Sequence, residues 1–365
     1  MVAPNKTNAF FNALDDKGMV HYLKIADVSE RLEEHDQEID TWKRSRTNRM
    51  VFQDYPRYAE IDAYLERMAA TYPDIVTLVN AGPSFEGRPI KYLRISTTNF
   101  TDLSKPVYVM DAMMHAREWV TTPVTLYSIH RLVENLRSEE RDVLEDVDWI
   151  IVPLVNPDGY EFSHTTQRLW RKTRSVHPGN TTCIGVDINR NFDANFNTIG
   201  VSSNPCSDIY PGPQVFSEPE TGYIRDILLQ FRDRIQLYND IHSHGNYITF
   251  GFGNTVLPSN TPQLHHVASA WGAIMDTMKR PQADFYLVGN SALLMYETSG
   301  CGQDYATGLG IPFPYTLELP GYGYGFLVPP EYMDHVNEET WQGIVVTARL
   351  SSIYYRNRYA TTTTT

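Results

Sequence analysis

The sequence predicts an α/β protein built on a mixed, mostly parallel twisted sheet sandwiched between helices. Two observations predict it. The runs Val107–Asp111, Trp149–Val155, Leu237–His242 and Thr316–Leu319 are short and dense in apolar residues, as strands buried on both faces are. Between them lie longer stretches with apolar residues at helical spacing, and such alternation places helices on both faces of the sheet. In that architecture the strand ends and the loops beyond them carry the chemistry.

Taken in chain order, the start is irregular, and Met19–Ile25 reads as a short strand. Val28, Leu32, Ile39 and Trp42 then fall at roughly helical spacing among acidic residues. Lys43, Arg44, Arg46 and Arg49 follow, a basic cluster that suits a trypsin-like cut as well as it suits a helix C-terminus. Helical patterns continue at Pro56–Ala70, Thr121–Leu136, Glu218–Asp233, Gln263–Met278 and Pro330–Tyr354. Residues 195–213 and 251–262 are rich in Gly, Pro, Ser and Asn and are expected to be long surface loops. The organisation expected is an N-terminal segment over residues 1–49, one large domain over 50–356 and a tail without fixed structure over 357–365.

Composition excludes several classes. A net charge of -13 repels phosphate backbones, so nucleic acid is not an expected partner. No apolar run approaches the length of a membrane span. The start Met1-Val2-Ala3-Pro4-Asn5 lacks the charged and apolar regions of a signal peptide. Three sequons, at Asn5, Asn99 and Asn180, fit a secretory route. Of three cysteines, Cys183 and Cys206 flank one compact segment and could close a loop in an oxidising compartment, leaving Cys301 over.

Three polar signals sit at the ends of apolar strands. His115 and Glu118 are three residues apart after the first buried run, so one turn could aim both at one point, although surface pairs with this spacing are common. His242 ends the run Leu237–Ile241, with His244 as a competitor two residues on. Two His and one Glu with an open fourth position make the catalytic zinc site of several peptidases, while the longer His-Glu-x-x-His motif is absent. Glu318 lies among apolar neighbours, where an ionised carboxylate is costly unless paired or functional.

His115-Ala116-Arg117-Glu118-Trp119, Asn156-Pro157-Asp158-Gly159-Tyr160, the run Arg168–Arg174, the run Gly185–Phe192 and Ile241-His242-Ser243 follow one another in the order found in pancreatic-type zinc metallocarboxypeptidases. The chain resembles that family from about Tyr55 to Tyr354, and residues 25–49 resemble the end of its propeptide with the connecting helix. The resemblance implies one zinc ion per chain on His115, Glu118 and His242, with Asp187 as the hydrogen-bond partner of His115. It implies Glu318 as general base and Arg171 as the cation beside the developing oxyanion. It places Asn189 and Arg190 at the substrate's terminal carboxylate, Tyr296 as a mobile cap, Arg117 further along the chain, and Gln303 at the base of the side-chain pocket with Ser291 beside it.

An Asp at the position of Gln303 would select Lys or Arg, so a neutral amide implies neutral C-terminal residues. The resemblance further implies a Cys183–Cys206 disulfide, secretion, and a monomer acting on peptide and protein C-termini. It implies an activating trypsin-like protease and protein inhibitors of carboxypeptidases as further partners. Departures from the family pattern are His244 for a tyrosine, Cys301 for a glycine, Tyr305 for a tryptophan, and a shortened loop over residues 320–326.

Overall fold

The computed structural model describes residues 2–177 and 182–362. Asn180, and with it the third sequon, lies outside the described residues, while Asn5 and Asn99 are exposed. Eight strands form one sheet: β1 (Val76–Pro83), β2 (Pro89–Ile95), β3 (Val107–Ala112), β4 (Asp148–Val152), β5 (Ile235–Ser243), β6 (Tyr247–Phe250), β7 (Leu287–Asn290) and β8 (Phe313–Leu319). Their order is β1-β2-β4-β3-β5-β8-β6-β7. The middle of the sheet, β4-β3-β5-β8, is parallel throughout, and antiparallel pairs flank it at β1–β2, β2–β4 and β6–β8.

Strand β3 shows why the central strands carry apolar residues on both faces. Tyr108, Met110 and Ala112 enter one core with Trp149, Trp271 and Trp341, while Val107 and Val109 enter a second core with Ile224, Leu228 and Phe192. Successive side chains leave a strand on opposite faces, so a sheet covered twice needs apolar residues at both parities. The first core lies under the helices Tyr58–Thr71, Thr121–Val133, Thr261–Met278 and Met333–Thr362, and the second under Pro219–Gln230 and Gly302–Gly308.

Three expectations change. Residues 19–25 form no strand: Val20 and Tyr22 are exposed and no neighbouring strand pairs with them. Apolar, β-prone residues make a strand only where a partner accepts their backbone groups. The expected tail is also shorter, because the last helix runs to Thr362 and takes in residues 357–362; residues 363–365 lie outside those described. Elongating a helix already anchored by buried Met333, Trp341 and Tyr355 adds one hydrogen bond per residue fixed, so it outruns the apolar pattern. Finally, the N-terminus is not wholly irregular, since Thr7–Asp15 is helical, although it buries no residue.

Helix Val28–Ser45 forms where the spacing predicts one. Asp27 caps it, accepting hydrogen bonds from the backbone N–H of Ser29 and Glu30, and Lys43 and Arg44 sit in its last turn. It rests on the large domain through buried His35 and Ile39. Cys183 and Cys206 are joined by a disulfide with Cα atoms 4.9 Å apart, and Cys301 is a buried free thiol.

Candidate metal centre and substrate pocket

Parallel strands β3, β5 and β8 are neighbours, so their C-terminal ends open at one edge of the sheet. His115 follows β3, in a turn where the Glu118 N–H donates to the His115 carbonyl, and His242 is the second-last residue of β5. The β5–β8 register sets His242 directly opposite Glu318. His244 lies beyond the end of β5, free of its alternation, and borders the same cavity with its ring packed edge-on against Phe326 at 4.8 Å.

Glu118 is the hub. Its Oε1 lies 2.9 Å from His115 Nδ1 and its Oε2 lies 2.9 Å from His242 Nδ1. One ligand atom from each of the three residues falls within 4.8 Å of the others, and all three side chains are buried. Burial opposes the charge on Glu118, but the two imidazoles outweigh it and hold the carboxyl well below its usual range. Two imidazole nitrogens and a carboxylate oxygen, converging in a water-poor site, are a donor set that fits zinc and leaves a coordination position open.

The far nitrogen of His115 also meets a carboxylate. Asp187, fully buried, presents Oδ1 to His115 Nε2 at 3.0 Å and accepts from Arg171 Nε and Nη2 at 3.0 and 2.8 Å through Oδ2. Arg171 is thereby fixed as a two-pronged partner of Asp187, with its Nη1 3.9 Å from Glu118 Oε1. The guanidinium's remaining edge faces the site.

All of the residues assigned to metal, catalysis and substrate line one cavity of about 280 Å³, apart from Asp187, which stands behind His115. Glu318 borders it with Oε2 buried and unpartnered. Burial first, and then the nearby Glu118 charge, push its carboxyl up to about 7. Arg190 is buried without a carboxylate partner: its Nη1 donates to the Asn189 carbonyl at 2.6 Å and its Nε to the Gly200 carbonyl at 3.1 Å. Nη1 also donates to Cys301 Sγ at 3.7 Å, and a buried guanidinium with only neutral acceptors keeps its full charge for a ligand anion.

Asn189 is more committed than the sequence suggests. Its Oδ1 accepts from the Gly302 N–H at 2.8 Å, and its Nδ2 lies between Asp240 and His242. Tyr296 is 55% exposed at the mouth. Arg117 is tied to Asp208 at 3.0 Å and lies over the Phe326 ring. In the side pocket Gln303 is buried and accepts from Thr249 Oγ1 at 3.4 Å, while buried Ser291 Oγ has no partner. Among the described residues, no carboxylate lines the cavity beside Gln303 and Ser291 other than those of the metal end. Asp304, next to Gln303 in the chain but outside the lining, accepts from the Gly253 N–H at 2.8 Å through Oδ2, has no partner at Oδ1, and is pushed up to about 6 by burial.

Motif matching left out Thr249, Met295, Thr298 and Thr316, which share the lining, and Asp240, which touches His242. Asp240 carried a usable signal: an acidic residue inside an apolar strand, two positions from a ligand and therefore on its face.

Comparison with known proteins agrees with this geometry. The family model described as zinc carboxypeptidase matches residues 61–343. A protein named carboxypeptidase B from Helicoverpa zea is 43% identical over 98% of this chain and 85% of its own length. Mouse carboxypeptidase A2 is 35% identical over 91% of this chain and 78% of its own length. Among solved structures, carboxypeptidase A from Helicoverpa armigera superposes with a TM-score of 0.93 at 44% identity, covering 96% of this chain and 88% of that one. Bovine thrombin-activatable fibrinolysis inhibitor in complex with tick carboxypeptidase inhibitor superposes with a TM-score of 0.77 at 30% identity, over 83% of this chain and 99% of that one.

Proposed function

The chain belongs to the zinc carboxypeptidase family and is a zinc-dependent hydrolase of C-terminal peptide bonds; from that premise we propose how its residues divide the work and which substrates it prefers. One observation carries the proposal. One pocket joins three metal ligands, a carboxyl of raised pKa and a buried guanidinium with no carboxylate of its own.

When bound, zinc supplies Lewis acidity and brings the pKa of a water toward neutrality. His115, Glu118 and His242 hold it, and Asp187 keeps the His115 hydrogen on Nε2 so that Nδ1 faces the metal. Glu318, in its deprotonated form, takes a proton from the attacking water and returns it to the leaving amine. Arg171, held in place by Asp187, offers its free edge to the charge that grows on the carbonyl oxygen. Arg190, with Asn189, binds the terminal carboxylate, which excludes internal peptide bonds. Tyr296 closes over the bound residue, and Arg117 contacts the chain further from the cut.

Relatives named carboxypeptidase A and carboxypeptidase B match this chain almost equally, so the names leave the side-chain preference open. The pocket floor supports a neutral one. Gln303 and Ser291 offer an amide and a hydroxyl, and neither compensates a buried Lys or Arg. We further propose that residues 1–49 are a propeptide remnant cut by a trypsin-like protease in the basic segment Arg44–Arg49. The mature enzyme is then a secreted digestive monomer open to protein inhibitors of carboxypeptidases. No helix among the described residues is long and apolar enough to cross a membrane. The test is a panel of peptides differing only in the last residue, assayed with and without a zinc chelator. Chelator-sensitive release of neutral C-terminal residues is the expected result, and a strong preference for Lys or Arg would reject the pocket assignment.

A further inference from the structure

Zinc binding at His242 Nδ1 leaves a hydrogen on the other ring nitrogen, and that N–H is buried with the rest of the side chain. Two groups face it. Asp240 Oδ1 lies 2.8 Å from His242 Nε2, and Asn189 Nδ2 lies 3.1 Å away. The amide cannot accept, because its oxygen is already engaged by the Gly302 N–H at 2.8 Å and its NH2 is therefore the end turned toward the imidazole. The carboxylate is the acceptor that remains.

Three further observations agree. Asp240 and His242 are two apart on β5 and so share a face. Asp240 Oδ1, 2.8 Å from His242 Nε2, completes no hydrogen bond as the side chains stand and so is free to accept one, and Oδ2 accepts from Asn189 Nδ2 at 3.3 Å. Asp240 is fully buried, and among the described residues no Lys or Arg nitrogen pairs with it. A buried anion without a cation is costly, and a metal-polarised imidazole N–H is the group on hand to offset it.

We propose that Asp240 is a positioning residue for the zinc site, accepting the Nε2 hydrogen of His242 as Asp187 accepts that of His115. The inference rests on the reading of His115, Glu118 and His242 as the zinc ligands. Each histidine then has its own carboxylate, with different backing. Asp187 leans on the Arg171 guanidinium, whereas Asp240 has beside it only the Asn189 amide and the second buried carboxyl, Asp111, which accepts from the Tyr238 hydroxyl at 2.8 Å.

The experiment measures the rate of zinc release from the purified full chain to a chromophoric chelator, for wild type, D240A, D240N and Y238F. Y238F is the control, because it disturbs Asp111 without touching the imidazole. D240A is expected to release zinc about tenfold faster or more. D240N, whose amide oxygen still accepts the N–H, is expected to lie between, at about threefold, and Y238F within about twofold of wild type. Release from D240A at the wild-type rate overturns the proposal, and so does an equal acceleration by Y238F, which would mark a packing effect. Should D240A not fold, near-isosteric D240N decides alone, with about threefold acceleration in support and a wild-type rate against. A wild-type chain that holds no zinc would instead overturn the ligand assignment itself.

Discussion

The metal end of the pocket and the N-terminal arm are built on opposite principles. At the metal end a chain of side chains is held at both ends: Glu118 between two imidazoles, His115 between Glu118 and Asp187, and Asp187 between His115 and Arg171. The arm is held at a few points. Helix Thr7–Asp15 buries nothing, and helix Val28–Ser45 docks chiefly through His35 and Ile39, with Arg31 Nη2 donating to the Leu327 carbonyl at 3.4 Å. A site that carries out chemistry is thus over-determined by paired charges, while a segment proposed to come away is attached by two buried side chains and a few hydrogen bonds. No described arm residue lines the pocket, so the arm touches the enzyme without filling its site.

The contrast breaks most visibly at Glu318. E318Q keeps shape and volume and leaves the three ligands intact, so zinc content measured by metal analysis is expected to stay at one per chain. Loss of the general base is expected to lower kcat by about 10²–10⁴-fold. A variant that loses zinc along with activity would show that Glu318 supports the metal instead of moving a proton. In wild type the base works deprotonated, so kcat/KM is expected to fall as pH drops below about 7, with zinc's charge moving that limb lower.

The side pocket is the softer part of the same cavity, and one substitution sharpens its role. Q303D would put a carboxylate on a floor that now holds an amide. Peptides ending in Lys or Arg are expected to gain about 10–100-fold in kcat/KM relative to neutral ones, the size of effect that pairing a buried charge produces. No change in the ratio would show that Gln303 does not meet the substrate side chain.

The arm answers to pH. His35 Nε2 lies 3.2 Å from the Val328 carbonyl and its Nδ1 has no partner, so a second proton would stand in a buried site with no acceptor. Burial first, and then the Arg168 and Arg31 charges, lower its pKa from 6.5 to about 3. With the folded pKa depressed, the stabilisation is complete above about 6.5 and drains away as pH falls toward 3, by about 2 kcal/mol between pH 6.5 and 5. Trypsin susceptibility of the segment after residue 45 is expected to rise over that range in wild type, and to stay flat in H35L.

The smallest effect expected is on activity itself. Because the arm stays clear of the pocket, trypsin treatment at neutral pH is expected to change kcat/KM by less than about twofold, the scale of a surface change remote from the substrate. A large gain after cutting would mean that the arm closes the site in solution.

How much was legible in the chain follows from what each signal depends on. His115, His242 and Glu318 stand out because a polar group at the end of an apolar strand demands an explanation whatever the fold. The helix from Val28 and the strands β3, β4, β5 and β8 declare themselves through local periodicity. Residues 19–25 misled because their apolar character is local, while a strand is a relation between two stretches of backbone. Hairpin β1–β2 and the short strands β6 and β7 escaped for the converse reason, being partly exposed or only four residues long.

The kind of chemistry was already written in the order of residues: the types of side chain present and the strand ends that carry them. The pairings between those side chains came from the assembled fold. The register that faces His242 with Glu318, the parallel order that brings β3 beside β5, and the amide orientation that leaves Asp240 as the acceptor all join segments far apart in the chain. Such pairings form only when a sheet is assembled and water is excluded, because it is burial that makes each unpaired charge costly enough to require a particular partner.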